Sequence, residues 1–168
     1  MHRFAAPLIA AAAATALAVG LFGGAGPVAA APPPGWELPV ADATVVAPFR
    51  APAHRYGPGH RGVDLAPASA DAVVTASAGG VIAFSGRVVD RGVVTIDHGG
   101  GWVTTVEPVE PTAAKGDVVV AGDPIALLGT GGHAPAGILH VGVRHDGEYV
   151  NPLSLVREIP RAILLPCC

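Results

Sequence analysis

Beyond Ala43 the chain rarely runs far without a turn-former, and this punctuation limits what it can fold into. Turn signals stand at Ala78-Gly79-Gly80, His98-Gly99-Gly100-Gly101, Lys115-Gly116-Asp117, Gly129-Thr130-Gly131-Gly132 and Asp146-Gly147. Glycine and aspartate accept the backbone angles that reverse a chain, so each cluster ends an element. Between them lie short runs rich in Val, Ile and Thr, residues that suit a pleated strand. These predict strands over 44–47, 72–76, 80–85, 93–97, 102–106, 117–120, 124–128, 139–144 and 148–150. No segment carries the long apolar stripe of a substantial helix. One helical turn is expected within 153–165, and no internal repeat is found. Many short strands at near-regular spacing predict an all-β fold, an antiparallel β sandwich or open barrel.

The N-terminus follows different rules. Met1-His2-Arg3 is a short basic start, residues 4–21 form an apolar run, and Val28-Ala29-Ala30-Ala31 offers small residues for cleavage. Residues 1–31 therefore read as a signal peptide, and in the alternative as an uncleaved anchor. Either outcome makes the domain secreted or part of the cell envelope; membrane contact is expected only if the leader is uncleaved. A Pro-rich linker follows over 32–43, then a single domain over 44–156 and a tail over 157–168. The formal net charge is only −3 and no basic run occurs, so nucleic acid is not an expected partner. The two cysteines, Cys167 and Cys168, are adjacent and terminal. They cannot staple the fold, and a free or intermolecularly oxidised tail is the plain reading.

Seven histidines in so weakly charged a chain direct attention to metal chemistry. In His60-Arg61-Gly62-Val63-Asp64 an imidazole and a carboxylate stand four residues apart, and zinc accepts both. A fully extended strand would hold their Cα atoms about 13 Å apart. A bend at Gly62 would let them converge on one ion. A third ligand must then come from a distant strand, and three protein ligands with one open position mark a catalytic zinc site. The spacing alone is weak evidence.

The context is stronger. Gly59-His60-Arg61-Gly62-Val63-Asp64-Leu65-Ala66-Pro67 is followed by Ser77-Ala78-Gly79-Gly80-Val81-Ile82, Val94-Thr95-Ile96-Asp97-His98-Gly99, Gly122-Asp123-Pro124-Ile125 and Leu139-His140-Val141-Gly142-Val143-Arg144. Asn151-Pro152-Leu153 closes the series. In order and spacing, over about residues 45–156, this resembles the lysostaphin/LytM-type zinc metallopeptidases, as a divergent member. The resemblance implies a β-sheet core, one bound zinc, and cleavage of peptidoglycan peptides. It implies His60, Asp64 and His140 as the metal ligands.

Two positions depart from the family. Its catalytic histidines fall, by alignment, on Pro108 and Ile138, neither of which moves a proton or donates to an oxyanion. A general base contributes about 10²–10⁴-fold and a lost oxyanion donor costs about 10²–10³ in rate, so activity is expected to be weak. Glu107, beside Pro108, and His133, on the glycine-rich loop ahead of the zinc strand, are the weak candidates for a substitute acid or base; a solvated turn residue and a plain loop histidine are the blander readings. His54 and Tyr56 read as rim or surface residues, and His98 as a structural turn residue. The alternative to an enzyme is an inactive member that binds peptidoglycan or regulates another cell-wall hydrolase. A biotinyl- or lipoyl-type carrier, suggested by Gly116-Asp117-Val118, is rejected because Lys115 lacks the required context.

Overall fold

A computed structural model describes residues 35–54, 56–132 and 135–156. The predicted leader, the tail over 157–168 with its cysteines, and His133 lie outside the described residues.

Eleven strands are present among the described residues: β1 (Thr44–Ala47), β2 (Val63–Ala66), β3 (Val73–Thr75), β4 (Gly80–Val88), β5 (Arg91–Gly99), β6 (Trp102–Glu107), β7 (Val109–Pro111), β8 (Val118–Val119), β9 (Pro124–Leu128), β10 (Leu139–His145) and β11 (Glu148–Val150). A 3-10 turn over Pro152–Ser154 overlaps the start of the region where one helical turn was expected. The larger sheet runs β1-β2-β10-β6-β5-β4-β8, with β11 paired to β10, and the smaller runs β3-β9-β7. All pairings between these strands are antiparallel. The fold is all-β, as the turn punctuation predicts.

The side-chain alternation says which face of the larger sheet is covered. Val63 and Leu65 of β2, Val94 and Ile96 of β5, Thr104 and Val106 of β6, and Leu139, Val141 and Val143 of β10 are buried. The intervening residues, Asp64, Thr95, Thr105 and His140, are only half-buried. Period-2 alternation of this kind is what a sheet with one packed and one open face requires. Val74, Ile125, Leu128 and Val109 of the smaller sheet join the same core cluster. Leu65, Ile82, Ile96, Ile125 and Leu139 are fully buried, each contributing about 1.5–3 kcal/mol of hydrophobic stabilisation.

Two strands, β2 and β7, were not on the predicted list. β2 is short and carries an aspartate, and pairs on both sides, with β1 and β10. β7 ends in Pro111, which a ladder tolerates because β7 lies at the edge of the smaller sheet. The 35–43 stretch, read from sequence as linker, packs on the domain: Trp36 and Val40 are buried, and the Glu37 amide donates to the Ser77 carbonyl at 2.8 Å.

Candidate metal centre

The strand register brings the site together. Asp64 on β2 lies directly opposite His140 on β10, and His140 lies directly opposite Glu107 on β6. Opposed residues of an antiparallel pair project to the same side, so the three form a row across the open face. Residues 64 and 140 are 76 apart in sequence, yet His140 Nδ1 stands 2.7 Å from Asp64 Oδ1.

His60 reaches the same point from outside the strand. Its backbone is paired with Arg50, the His60 amide donating to the Arg50 carbonyl at 2.9 Å and the Arg50 amide to the His60 carbonyl at 3.0 Å. Its Nδ1 donates to the Pro48 carbonyl at 2.9 Å, which turns Nε2 toward Asp64 Oδ1 at 3.1 Å. Gly62 is needed for close approach rather than for a left-handed turn. A Cβ there would run into the Val141 carbonyl and lie 2.7 Å from the His140 ring. His60 and Asp64 do converge, and the close pass of β10 leaves no room for a Cβ at Gly62.

One ligand atom from each of His60, Asp64 and His140 lies within 4.8 Å of the others, and no further His, Cys, Asp or Glu among the described residues joins that group. The three side chains are 17%, 20% and 16% exposed, open enough to admit a ligand and shielded from most bulk water. The donor set of two imidazoles and one carboxylate suits zinc. The hydrogen bonding points the same way. The Pro48 carbonyl is only an acceptor, so Nδ1 of His60 must carry the proton. In a ring protonated at Nδ1 alone, Nε2 turns a lone pair toward the carboxylate, an arrangement that a cation between them would satisfy. Carbonyl support of this kind also fixes the ring orientation of a metal-ligating histidine.

The other predicted site residues have separate surroundings. Glu107 shares the face with His140, but its Oε2 forms an ion pair with Arg91 Nε at 3.0 Å. That carboxylate holds the Arg91 guanidinium above its ordinary value. Arg91 also approaches Asp90 at 3.5 Å. Asp90 accepts the Gly132 amide at 3.1 Å, and this bond leads the causes that lower its carboxyl. Pro108 is buried and its carbonyl accepts the Gly129 amide at 3.0 Å. Ile138 is half-buried, two residues ahead of His140. His98 is a structural residue: Nδ1 donates to the Gly79 carbonyl at 2.9 Å and Nε2 pairs with the Thr104 hydroxyl at 2.8 Å. His54 and Tyr56 line a cleft with Arg61 and Arg144.

Sequence reasoning did not identify Arg91 or the Pro48 carbonyl. A main-chain acceptor leaves no side-chain signature, and Arg91 meets Glu107 only through the sheet. The one signal available was the pairing of β5 with β6, which brings the two ends together.

With this geometry in view, the comparisons with known proteins are specific. A model of peptidase family M23 matches residues 58–152. The chain belongs to peptidase family M23. It is 37% identical over 132 residues to an uncharacterized protein of Mycobacterium tuberculosis, covering 75% of this chain and 52% of that one. It is 34% identical over 102 residues to the DD-carboxypeptidase/endopeptidase Mpg of Neisseria meningitidis, covering 60% of this chain and 24% of Mpg. The chain thus spans about half the length, or less, of these curated relatives. The solution structure of lysostaphin shares the fold, with a TM-score of 0.57 at 18% identity over 71% of this chain and 57% of that one. The resemblance read from the motifs and the family assignment agree.

Proposed function

We propose that this M23 domain binds zinc through His60, Asp64 and His140 and acts weakly on peptide bonds of peptidoglycan outside the cytoplasm, the residue 1–31 leader directing export. The observation that carries the reading is the convergence of three ligand atoms within 4.8 Å on an open sheet face. The similarity to Mpg, a DD-carboxypeptidase/endopeptidase, supports a D,D-peptide bond as the substrate class. When bound, zinc supplies Lewis acidity for polarising a carbonyl. The chain's own residues do the rest: the Pro48 carbonyl orients His60, Asp64 bridges the two imidazoles, and the open face admits an extended peptide.

Weak turnover follows from what surrounds the ligands. Pro108 and Ile138 offer no acid or base, and the Glu107 carboxylate is engaged by Arg91. This ion pair also favours a second reading, a domain that binds cell-wall peptides or regulates another hydrolase without cutting. One experiment separates the two. Residues 32–168 and the His60→Ala variant are assayed for bound zinc and for peptide release from purified peptidoglycan. Metal-dependent release that disappears in the variant supports the enzyme; about one equivalent of zinc with no release from any wall type leaves the binding role.

A further inference from the structure

A cleft of about 460 Å³ adjoins the ligand row, and its lining is cationic and aromatic. Arg61, the residue after His60, and Arg144, on β10, both contribute to it, with Tyr149 of β11, Tyr56 and His54. Glu148 is the one acidic residue of the lining, and it is exposed whereas both arginines are half-buried. Tyr149 links the two cations: it lies directly opposite Arg144 in the ladder, and the Arg61 Cζ stands 6.0 Å from its ring centre. Arg61 is braced by a hydrogen bond from Nη2 to the Gly57 carbonyl at 3.1 Å. The Arg144 side chain has no hydrogen bond or ion pair with any described residue. Gly142 of β10 lies between the cleft-lining Tyr149 and the candidate ligand His140. A Cβ at that position would lie 3.9 Å from His140 Nε2 and 3.7 Å from Tyr149 Cε1.

Guanidinium groups bind carboxylates through paired, charge-assisted hydrogen bonds, and Arg is the side chain best shaped for it. His140 and Arg144 lie on the same face of β10, a separation of about 13 Å along the strand. A bound peptide in extended form covers that span at about 3.3–3.6 Å per residue, and the reach of the arginine shortens it. We propose that Arg144, backed by Arg61 and Tyr149, receives a free carboxylate of the bound peptide some one to four residues from the bond at the metal centre. The domain then selects acidic peptides over neutral ones. The proposal rests on the open face being a peptide site and names the chemistry that the site prefers.

The probes are an acetylated tetra-alanine peptide ending in D-Ala-D-Ala as the free acid, its C-terminal amide, and that amide with glutamate as the first residue. Affinities for the zinc-loaded full chain are measured by calorimetry, with Arg144→Gln and Arg144→Lys beside it. At least one carboxylate-bearing peptide should bind about tenfold or more tighter than the neutral amide, the worth of one charge-assisted pair. Preference for the free acid assigns the carboxylate to the C-terminus, and preference for the glutamate peptide assigns it to a side chain. Arg144→Gln should erase the gap while bound zinc and the thermal midpoint stay unchanged; Arg144→Lys should keep part of it. Equal binding of all three peptides, a gap that survives Arg144→Gln, or no binding at millimolar concentration overturns the proposal. Its failure is distinct from failure of the enzyme reading. Acid preference without peptidoglycan cleavage leaves the subsite standing, and cleavage without acid preference removes only the subsite.

Discussion

Two histidine environments in the same domain make opposite demands. His98 sits between a carbonyl and a hydroxyl, so a neutral ring donates from Nδ1 to Gly79 and accepts at Nε2 from Thr104, which is buried. Its partners are complete within the protein, and the Trp36 ring lies 4.8 Å away. His60 sits between two acceptors, the Pro48 carbonyl and the Asp64 carboxylate. No neutral tautomer satisfies both. The difference teaches that burial and hydrogen-bond count do not separate a structural histidine from a ligand. The acceptor or donor character of the partners sets them apart: His98 is satisfied within the protein, and His60 is a candidate ligand.

That contrast can be broken most sharply at the metal. Asp64→Ala removes the atom that both imidazoles face, and bound zinc measured by mass spectrometry should fall from about one equivalent to near zero, with any peptidoglycan cleavage. Retention of stoichiometric zinc in that variant would place the ion elsewhere. At His98 the expectation is reversed. His98→Leu should leave zinc content unchanged and lower stability by about 1–3 kcal/mol in denaturant unfolding, because the Thr104 hydroxyl loses its partner in a buried position.

The smallest effect expected is a pH dependence. Burial pushes the His98 imidazole below the ordinary histidine value. The folded state therefore resists a proton that the unfolded chain accepts. Stability from this group is complete above about pH 6.5, the unfolded value. It is lost as pH falls from there toward the lowered folded value. Comparing urea midpoints at several pH values for Asp64→Ala with and without His98→Leu isolates the contribution, since metal release is then absent from both. An unchanged slope would show that His98 does not titrate with folding.

Much of the scaffold was readable in advance because glycine and aspartate turns bracket it. The strands at 44–47, 124–128 and 148–150 fall where alternation and turns put them. β2 and β7 owe their strand character to partners: Asp64 interrupts the apolar run of one, and Pro111 closes the other. The candidate ligands were reachable through the motif resemblance, but the reason they converge was not. Nothing local to Gly62 announces that β10 passes against it, and nothing near Glu107 announces Arg91. Both facts belong to pairing between distant strands.

That pairing has a consequence for the folding of the chain. A cation held by His60 and Asp64 alone would close a loop of four residues, whereas including His140 closes one of 76. The entropy of closing a flexible loop rises by about 0.6 kcal/mol per doubling of length, so the longer loop restrains the unfolded chain by roughly 2.5 kcal/mol more. His140 as a third ligand would make a bound ion a clasp between β2 and β10, two adjacent interior strands of the larger sheet. An ion bound on the open face would thereby also hold shut the route by which the larger sheet would come apart.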